Sequence, residues 1–511
     1  MSPNPSSPSR AGRPSRPRRR WLALAGVMFA FALVAGSCSG SDDASGGGNS
    51  GGSSDDPTEV NPDNCPVDAL DDATAPVELK VWHAYNALTQ ETIEKAAADY
   101  NASQTKVKVS VEAQGTYEEI LKKYEDSLGD PGSLPDVIFS EDTTLQFMVD
   151  SGSVVAAGDC IAADPDAGEF YDGLLPAVKN AYSVKGVLWP AAFGVSMPMM
   201  YVNNKQLAAA GVDTTVYPQT LAEVRAAAEK IKAANLPGVE TPVVMQLYGW
   251  YPENRLTGSQ QEIVDNGNGH DGLAEKSEFD NESTAEVFEW LQGMQNDGLL
   301  KAYPFSASID QFLAMANQSS SILIDGSRAI TTVSAIVGGS YSGGEIDGAA
   351  GLDDDLSSLS IGVGPIPGLK EAGQGAVAGS AGYLVAGSDP SKIAAGWDFL
   401  KFFNSTPVQV QWTLQGSYLP VTQAVQDDPT IVDYFANDPA GKGLGVVNQQ
   451  LLSVDPDFPG PVIGPYNQFR TGLHSALEKA VLGGEDATAT IEAFNTQFQS
   501  DLETYASEVG G

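Results

Sequence analysis

The chain has 511 residues, 42% of them hydrophobic and 18% charged, so it is long enough for two or three compact units with buried cores. Its 28 Lys and Arg face 66 acids, a formal net charge of -38. Arg10, Arg13, Arg16, Arg18, Arg19 and Arg20 all precede residue 38 and no acid does, which leaves 22 basic and 66 acidic residues beyond it. A body that acidic repels phosphate backbones and anionic membrane surfaces, which excludes nucleic acid as a partner.

The first forty residues read as an address. Arg16–Arg20 is cationic, and the apolar run Trp21–Ala35 follows. That run is shorter than the roughly 20 residues a membrane span needs, but it suits the core of a signal peptide. Leu33-Val34-Ala35-Gly36-Ser37-Cys38 resembles the bacterial lipobox, apart from Ala35 where Leu is commoner. The resemblance implies a signal at 1–37, removed to leave a lipidated Cys38 as membrane anchor. Arg18-Arg19-Arg20-Trp21-Leu22 weakly resembles a twin-arginine signal, so both export routes stay open. Residues 38–75 are expected to form the tether. Ser39–Asp56 holds nothing able to seed a core and, as flexible coil, reaches about 20–25 Å. With Cys38 assigned to lipid, Cys65 and Cys160 remain as an even pair in an oxidising compartment, either bridged or as two thiols. There is no CxxC pair, so neither a metal site nor a cofactor is expected.

From residue 77 short strand-like runs alternate with helical ones. Val77–Trp82 alternates at period two, Thr89–Asn101 puts Ile93, Ala96, Ala97 and Tyr100 on one helical face, and Lys106–Val111 alternates again. Tyr117–Leu128 reads as a helix and Pro135–Ser140 as a buried strand. This order argues for an α/β sheet with its ligand beyond the strand ends, at the loops after Trp82, Val111 and Phe139. Across Gly186–Asn204 two strands flank a small-residue break, and Ala192–Ser196 reads as a crossing into a second unit. That unit has helices at Leu221–Ala234 and Thr284–Gln295 and a strand at Ile322–Gly326, where the chain is expected to return. Ser340–Ser360 reads as a surface excursion. Asp389-Pro390 starts a helix, and two more follow at about Tyr466–Leu482 and Ala487–Ala506.

Trp82-His83-Ala84-Tyr85, LPDVIFS at 134–140, LWPAAFGVSMPMMYVNN at 188–204, Gly362–Gly368 and Ser380–Val421 together resemble the extracytoplasmic solute-binding proteins of ABC importers, in the carbohydrate-type group. The similarity covers roughly residues 76–505. It implies an α/β, two-lobed periplasmic-binding-protein-like fold of type II, with a hinge and an interlobe ligand cleft. Lobe one would be 76–193 plus 327–385, and lobe two 197–325 plus 388–505. It further implies an exported monomer on the outer face of the cytoplasmic membrane, delivering a small molecule to ABC permease subunits.

Within the group the chain looks most like binders of glycerol 3-phosphate and glycerophosphodiesters. Gly115-Thr116-Tyr117-Glu118 matches a segment that makes Tyr117 a contact. Glu141 falls where that subfamily has a binding carboxylate, Ser196 matches a binding Ser, and Gly249-Trp250 an aromatic wall. Ser327, Ser380 and Tyr418 lie in matching segments, and Gly464–Arg470 resembles the stretch whose Arg clamps phosphate. The chemistry fits: Arg470 offers a planar fork for an oxyanion, Glu141 accepts from glycerol hydroxyls, and Trp250 covers a C–H edge or a choline-like head. Asp325 and Arg328 flanking Ser327 depart from the subfamily's Ser-rich run. The alternative ligand is a neutral di- or oligosaccharide held by Trp250, Tyr251, Tyr85 and Asp142.

An exported glycoside or phosphodiester hydrolase is the other class. Gly48-Asn49-Ser50-Gly51-Gly52 fits GxSxG but lies in the tether, and Gly267–Gly272 fits GxGxxG but follows no strand. His83, His270 and His474 share no motif, so the expectation is a binding protein and not an enzyme.

Overall fold

A computed structural model describes residues 59–306, 310–330, 360–373, 375–387 and 389–509. The chain divides into Met1–Asp55 and Asp56–Gly511, and only the second unit is described. The expected signal at 1–37, Cys38, the Ser39–Asp56 stretch and nearly all of the 340–360 excursion lie outside the described residues. Among those residues no helix is long and apolar enough to cross a membrane.

The strands are β1 Val77–His83, β2 Val107–Ala113, β3 Val137–Glu141, β4 Val154–Val155, β5 Ser183–Val184, β6 Val187–Leu188, β7 Ala192–Ser196 and β8 Pro198–Asn203. They continue with β9 Val243–Gln246, β10 Leu300–Tyr303, β11 Ile322–Gly326, β12 Ile361–Pro365 and β13 Ala378–Val385. One sheet runs β2-β1-β3-β13-β4, with β7 also on β13; the other runs β10-β9-β11-β8-β12. In the first, β1, β2 and β3 are parallel and β13 is antiparallel to β3. In the second, β9, β10 and β11 are parallel and β8 is antiparallel to both β11 and β12. The parallel strands of each sheet aim their C-terminal ends at the loops that carry the polar residues described below, as open α/β sheets do.

Sequence chemistry explains the elements between them. The helix Tyr117–Ser127 starts in a capping box, in which Thr116 accepts from the Glu119 N–H and the Glu119 carboxylate takes the Thr116 N–H at 2.8 Å. Thr220, Asn281 and Asp389 cap the helices Leu221–Ala234, Glu282–Asn296 and Pro390–Phe403 in the same chemistry. Strand β8 is buried on both faces: Met199 and Tyr201 join the larger apolar cluster, Met200 and Val202 the second. Period-two alternation thus sends one strand's side chains into two cores.

The chain passes between the sheets at Met197, which separates β7 from β8. Ser327 stitches this point: its N–H donates to Met197 O at 2.9 Å, and its hydroxyl accepts from the Met197 N–H at 3.3 Å. It passes again between β12 and β13. That segment is braced by the wholly buried helix Trp250–Gly258. Asn254 accepts from the Ala376 N–H at 2.8 Å, and Arg255 donates to Pro367 O at 3.2 Å.

Four expectations need correction. Ala192–Ser196 is not itself the crossing but strand β7 of the first sheet, and the crossing is Met197. The stretch 327–385 is not all lobe one, because β12 pairs with β8 in the second sheet while β13 lies in the first. The stretch 388–505 is not all lobe two either. The helix Pro390–Phe403 packs on β1 and β13, and Thr406–Gly416 packs on the helix Ala87–Ser103. A strand's partner and a helix's bed are long-range choices that local patterning does not encode. Finally, residues 59–75 are not free tether. They form turns at Pro62–Asn64 and Val67–Leu70; Asn61 N and Asn64 Nδ2 donate to the Asp159 carboxylate at 2.7 and 3.0 Å.

The same segment carries a disulfide between Cys65 and Cys160, with Cα atoms 5.0 Å apart. It closes a sequence separation of 95 residues, and cross-links over loops of that size restrict the unfolded chain by about 2–5 kcal/mol. Replacing both cysteines by serine is expected to lower the unfolding free energy by that amount in urea titration, with the cleft unchanged.

Candidate functional site

The ends of β3, β9, β11 and β13 bring the candidate residues into two neighbouring groups, one of them around Glu141. Glu141 terminates β3 and accepts from the Tyr248 hydroxyl, which lies just beyond β9, at 3.1 Å. Its carboxylate is also 3.8 Å from Arg470 Nη1 on the helix Tyr466–Val481. One carboxylate of the first sheet therefore meets two groups of the second layer across the cleft.

Arg470 is deeply engaged. Its Nε and Nη2 grip the two oxygens of Glu253, the latter at 2.6 Å, and Nη1 donates to the Tyr248 hydroxyl at 3.2 Å. The Tyr466 hydroxyl adds a bond to Glu253 at 3.1 Å. Both side chains are nearly inaccessible, 7% exposed for Arg470 and 4% for Glu253. Burial pushes the Glu253 carboxyl up, and the Arg470 charge and its hydrogen bonds pull it back. Arg470, Glu253 and Tyr466 line a narrow cavity of about 30 Å³, with Asp142, Tyr182, Trp250 and Val462 among its other walls.

The candidate residues fall into two groups. Trp250 and Arg470 line the cavity, with Glu141 3.8 Å from Arg470; Trp250 packs on Tyr248 and Tyr251 and keeps a buried indole N–H without a partner. Ser380, Tyr418 and Tyr117 form the other group. Ser380 Oγ is 2.8 Å from the Tyr85 hydroxyl and 3.4 Å from that of Tyr418. Tyr418 stacks on Trp412 at 4.9 Å, and the buried Tyr117 hydroxyl lies against that of Tyr418. Gly194 lies beneath, where a Cβ would strike Ser380 Oγ and the Tyr418 ring. Ser196 ends β7 opposite Ala378, at the seam between the groups. Ser327 sits at the same seam, its hydroxyl committed to Met197.

Asp142 was read only as a sugar contact, and its environment makes it more informative. Burial, then the neighbouring Glu141 charge, raises its carboxyl to about 7, against pull-down from Arg470 and the Gly379 N–H. That N–H comes close because Gly379 holds φ 135 with its Cα against Gly194 O, a position where any Cβ would overlap the carbonyl. Tyr248, Glu253 and Tyr466 complete the network. The only sequence signal for them is position: Tyr248 follows a strand, and Glu253 lies one helical turn from Trp250. Among the described residues no group of three or more His, Cys, Asp or Glu is arranged to hold a metal.

Two α/β layers whose strand ends meet at one polar cavity, joined by braced crossings, define a cleft-type solute-binding protein. Residues 95–440 match the family of bacterial extracellular solute-binding proteins, and the chain belongs to it. The sn-glycerol-3-phosphate-binding periplasmic protein UgpB of Yersinia pseudotuberculosis is 24% identical over 432 residues, covering 82% of this chain and 91% of that protein. UgpB of Rhizobium meliloti is 23% identical over 429 residues, 82% and 92% of the two chains. Among solved structures, UgpB of Mycobacterium tuberculosis in complex with glycerophosphocholine superposes with a TM-score of 0.66 at 16% identity, covering 84% of this chain and 99% of that one. The cyclic alpha-maltosyl-1,6-maltose binding protein of Arthrobacter globiformis gives 0.65 at 17%, covering 84% and 100%. The chain is an exported substrate-binding protein of an ABC importer rather than an enzyme.

Two outcomes follow from the site. Removing one member of a buried pair strands the other charge at a cost of about 3–5 kcal/mol. Glu253→Gln is therefore expected to destabilise the protein by that much in urea titration, and the double variant with Arg470→Met to recover part of the loss. For Asp142 the native pKa lies above the unfolded one, so the native state holds more protons between pH 4 and 7 and loses stability as pH rises through that window. Asp142→Asn removes this loss. The melting temperature of the variant minus that of wild type is expected to become more positive from pH 5 to 8. A difference independent of pH would refute the assignment.

Proposed function

We propose that this protein captures glycerol 3-phosphate or a glycerophosphodiester between its two lobes, closes about the Met197 hinge, and presents the closed form to a membrane permease. The observation that carries the reading is a cleft that sets a hydroxyl-accepting carboxylate at the end of β3, Glu141, near two guanidinium groups of the second layer, Arg470 at 3.8 Å and Arg328 beside Tyr418. A polyol phosphate needs both kinds of group. Ligand that touches both lobes favours the closed state, and only differential contact does so. Relatives that are named for glycerol 3-phosphate binding and align over most of their length support the same ligand class. A lipidated Cys38 and the Ser39–Asp56 leash would hold the protein at the outer face of the membrane, beside its permease. The body from residue 59 onward would act as a monomer.

A neutral oligosaccharide is the second reading, favoured by a specific observation. Glu253 matches the Arg470 charge, and Trp250 and Tyr466 line the same cavity, with Tyr248 packed on Trp250. Calorimetric titration with glycerol 3-phosphate, glycerophosphocholine and maltose separates the two. Phosphate-ester binding with a smaller radius of gyration in solution scattering is expected. Maltose binding alone would establish the second reading, and no contraction with any ligand would remove lobe closure.

A further inference from the structure

Arg328 follows Ser327 at the end of β11 and faces the group of candidate residues away from Arg470. Its guanidinium carbon is 5.3 Å from the Tyr418 ring centre. The groups that act on it electrostatically are Tyr418, Tyr117 and Tyr85, with Glu141 more weakly. Among the described residues no carboxylate lies within ion-pair distance of it, and its Nε is buried without an acceptor. The Tyr117 hydroxyl lies against that of Tyr418, and the Trp412 indole N–H, stacked on the same ring, is a further buried donor without a partner. A guanidinium N–H buried without an acceptor is costly unless a ligand supplies one.

The opposite end of the cleft offers an anion little. Arg470 spends Nε and Nη2 on Glu253 and Nη1 on Tyr248, with Glu141 and Asp142 alongside. An oxyanion placed there meets more negative charge than positive. At Arg328 it meets an unmatched guanidinium and hydroxyl donors.

We propose that Arg328, with the Tyr117 hydroxyl, is the seat for the oxyanion of the ligand, a phosphate held at the hinge end of the cleft while Glu141 and Asp142 take its hydroxyls. This rests on the phosphate-ester reading for the identity of the ligand, though the seat itself requires only an oxyanion. It assigns to Arg328 the role that sequence resemblance gave to Arg470. The guanidinium fork and the tyrosine hydroxyl supply charge-assisted hydrogen bonds, and Ser380 and Tyr85 hold the Tyr418 platform in place.

The test uses the purified protein, wild type and Arg328→Gln, Tyr117→Phe and Arg328→Lys. Melting is followed with inorganic phosphate, and calorimetry with glycerol 3-phosphate and glycerophosphocholine. Phosphate is expected to raise the melting temperature of wild type but not of Arg328→Gln. Ester affinity is expected to fall about tenfold to hundredfold in Arg328→Gln, less in Arg328→Lys, and about threefold to tenfold in Tyr117→Phe. If an ester binds wild type and Arg328→Gln equally, the seat is overturned and the ligand class stands. If phosphate shifts wild type but not Arg328→Gln while neither ester binds, the seat stands and the phosphate-ester reading falls. No response of wild type to phosphate or to either ester overturns the seat. Should Arg328→Gln not fold, Tyr117→Phe decides, since it removes one hydroxyl and keeps the ring; unchanged ester affinity in that variant overturns the seat.

Discussion

A guanidinium taken out of water inside a chain of net charge -38 needs a matched acceptor, and Arg470 finds it in Glu253. The pair ties the buried helix Trp250–Gly258 to the helix Tyr466–Val481, and Tyr248 extends it to Glu141 on the first sheet. The helix that holds Glu253 also holds Asn254 and Arg255, which fasten the second crossing through Ala376 and Pro367. Cleft chemistry and hinge geometry are therefore set by one short helix. Two core-like helices without this pair would pack as well, but they would fix neither the cavity wall nor the crossing.

Closure in such a molecule is an equilibrium, and moving it from 1:99 to 99:1 takes about 5.5 kcal/mol of differential binding. Part of the attraction between the lobes is already the protein's own, since Glu141 bonds Tyr248 across the cleft. The ligand supplies the remainder only through groups that span the gap. Asp142 matters here because its carboxyl, raised to about 7, can be donor or acceptor near neutrality. Acidic side chains at the end of β3 can thus adapt to a hydroxyl without adding a second full negative charge beside Glu141.

How much of this was legible follows from the range of each signal. Helices such as Leu221–Ala234 and the strand Ile322–Gly326 have the limits their apolar spacing and caps imply, because those forces are local. The membership of β12 and of the helix Pro390–Phe403 was not legible, since pairing across hundreds of residues leaves no mark in a ten-residue window. At the site, resemblance led to Arg470, Glu141 and Trp250, which the structure brings together. It missed that Glu253 occupies the Arg470 fork, because a partner 217 positions away is invisible to motif matching. Arg328 was visible only as a departure from the related pattern. The spot where the chain breaks its relatives' pattern is also where the structure leaves a donor unspent.

Charge distribution gives the two ends of the cleft different tasks. A body with a large excess of acids slows the approach of an anion over distances up to the Debye length, about 8 Å at physiological ionic strength. Long-range attraction therefore could not select a phosphate ester, and its recognition would have to be short-range. The proposed seat at Arg328, which among the described residues has no carboxylate within ion-pair distance, is a group that would work at short range, since low local dielectric strengthens its contact once water is displaced. A neutral sugar would gain nothing from it and would leave its Nε unpaired. The acidic end, by contrast, rejects a second phosphate while accepting hydroxyls. An ester with one anionic end and one polyol end matches that gradient in a single orientation, and the orientation puts its phosphate next to the hinge that Ser327 and Met197 stitch together.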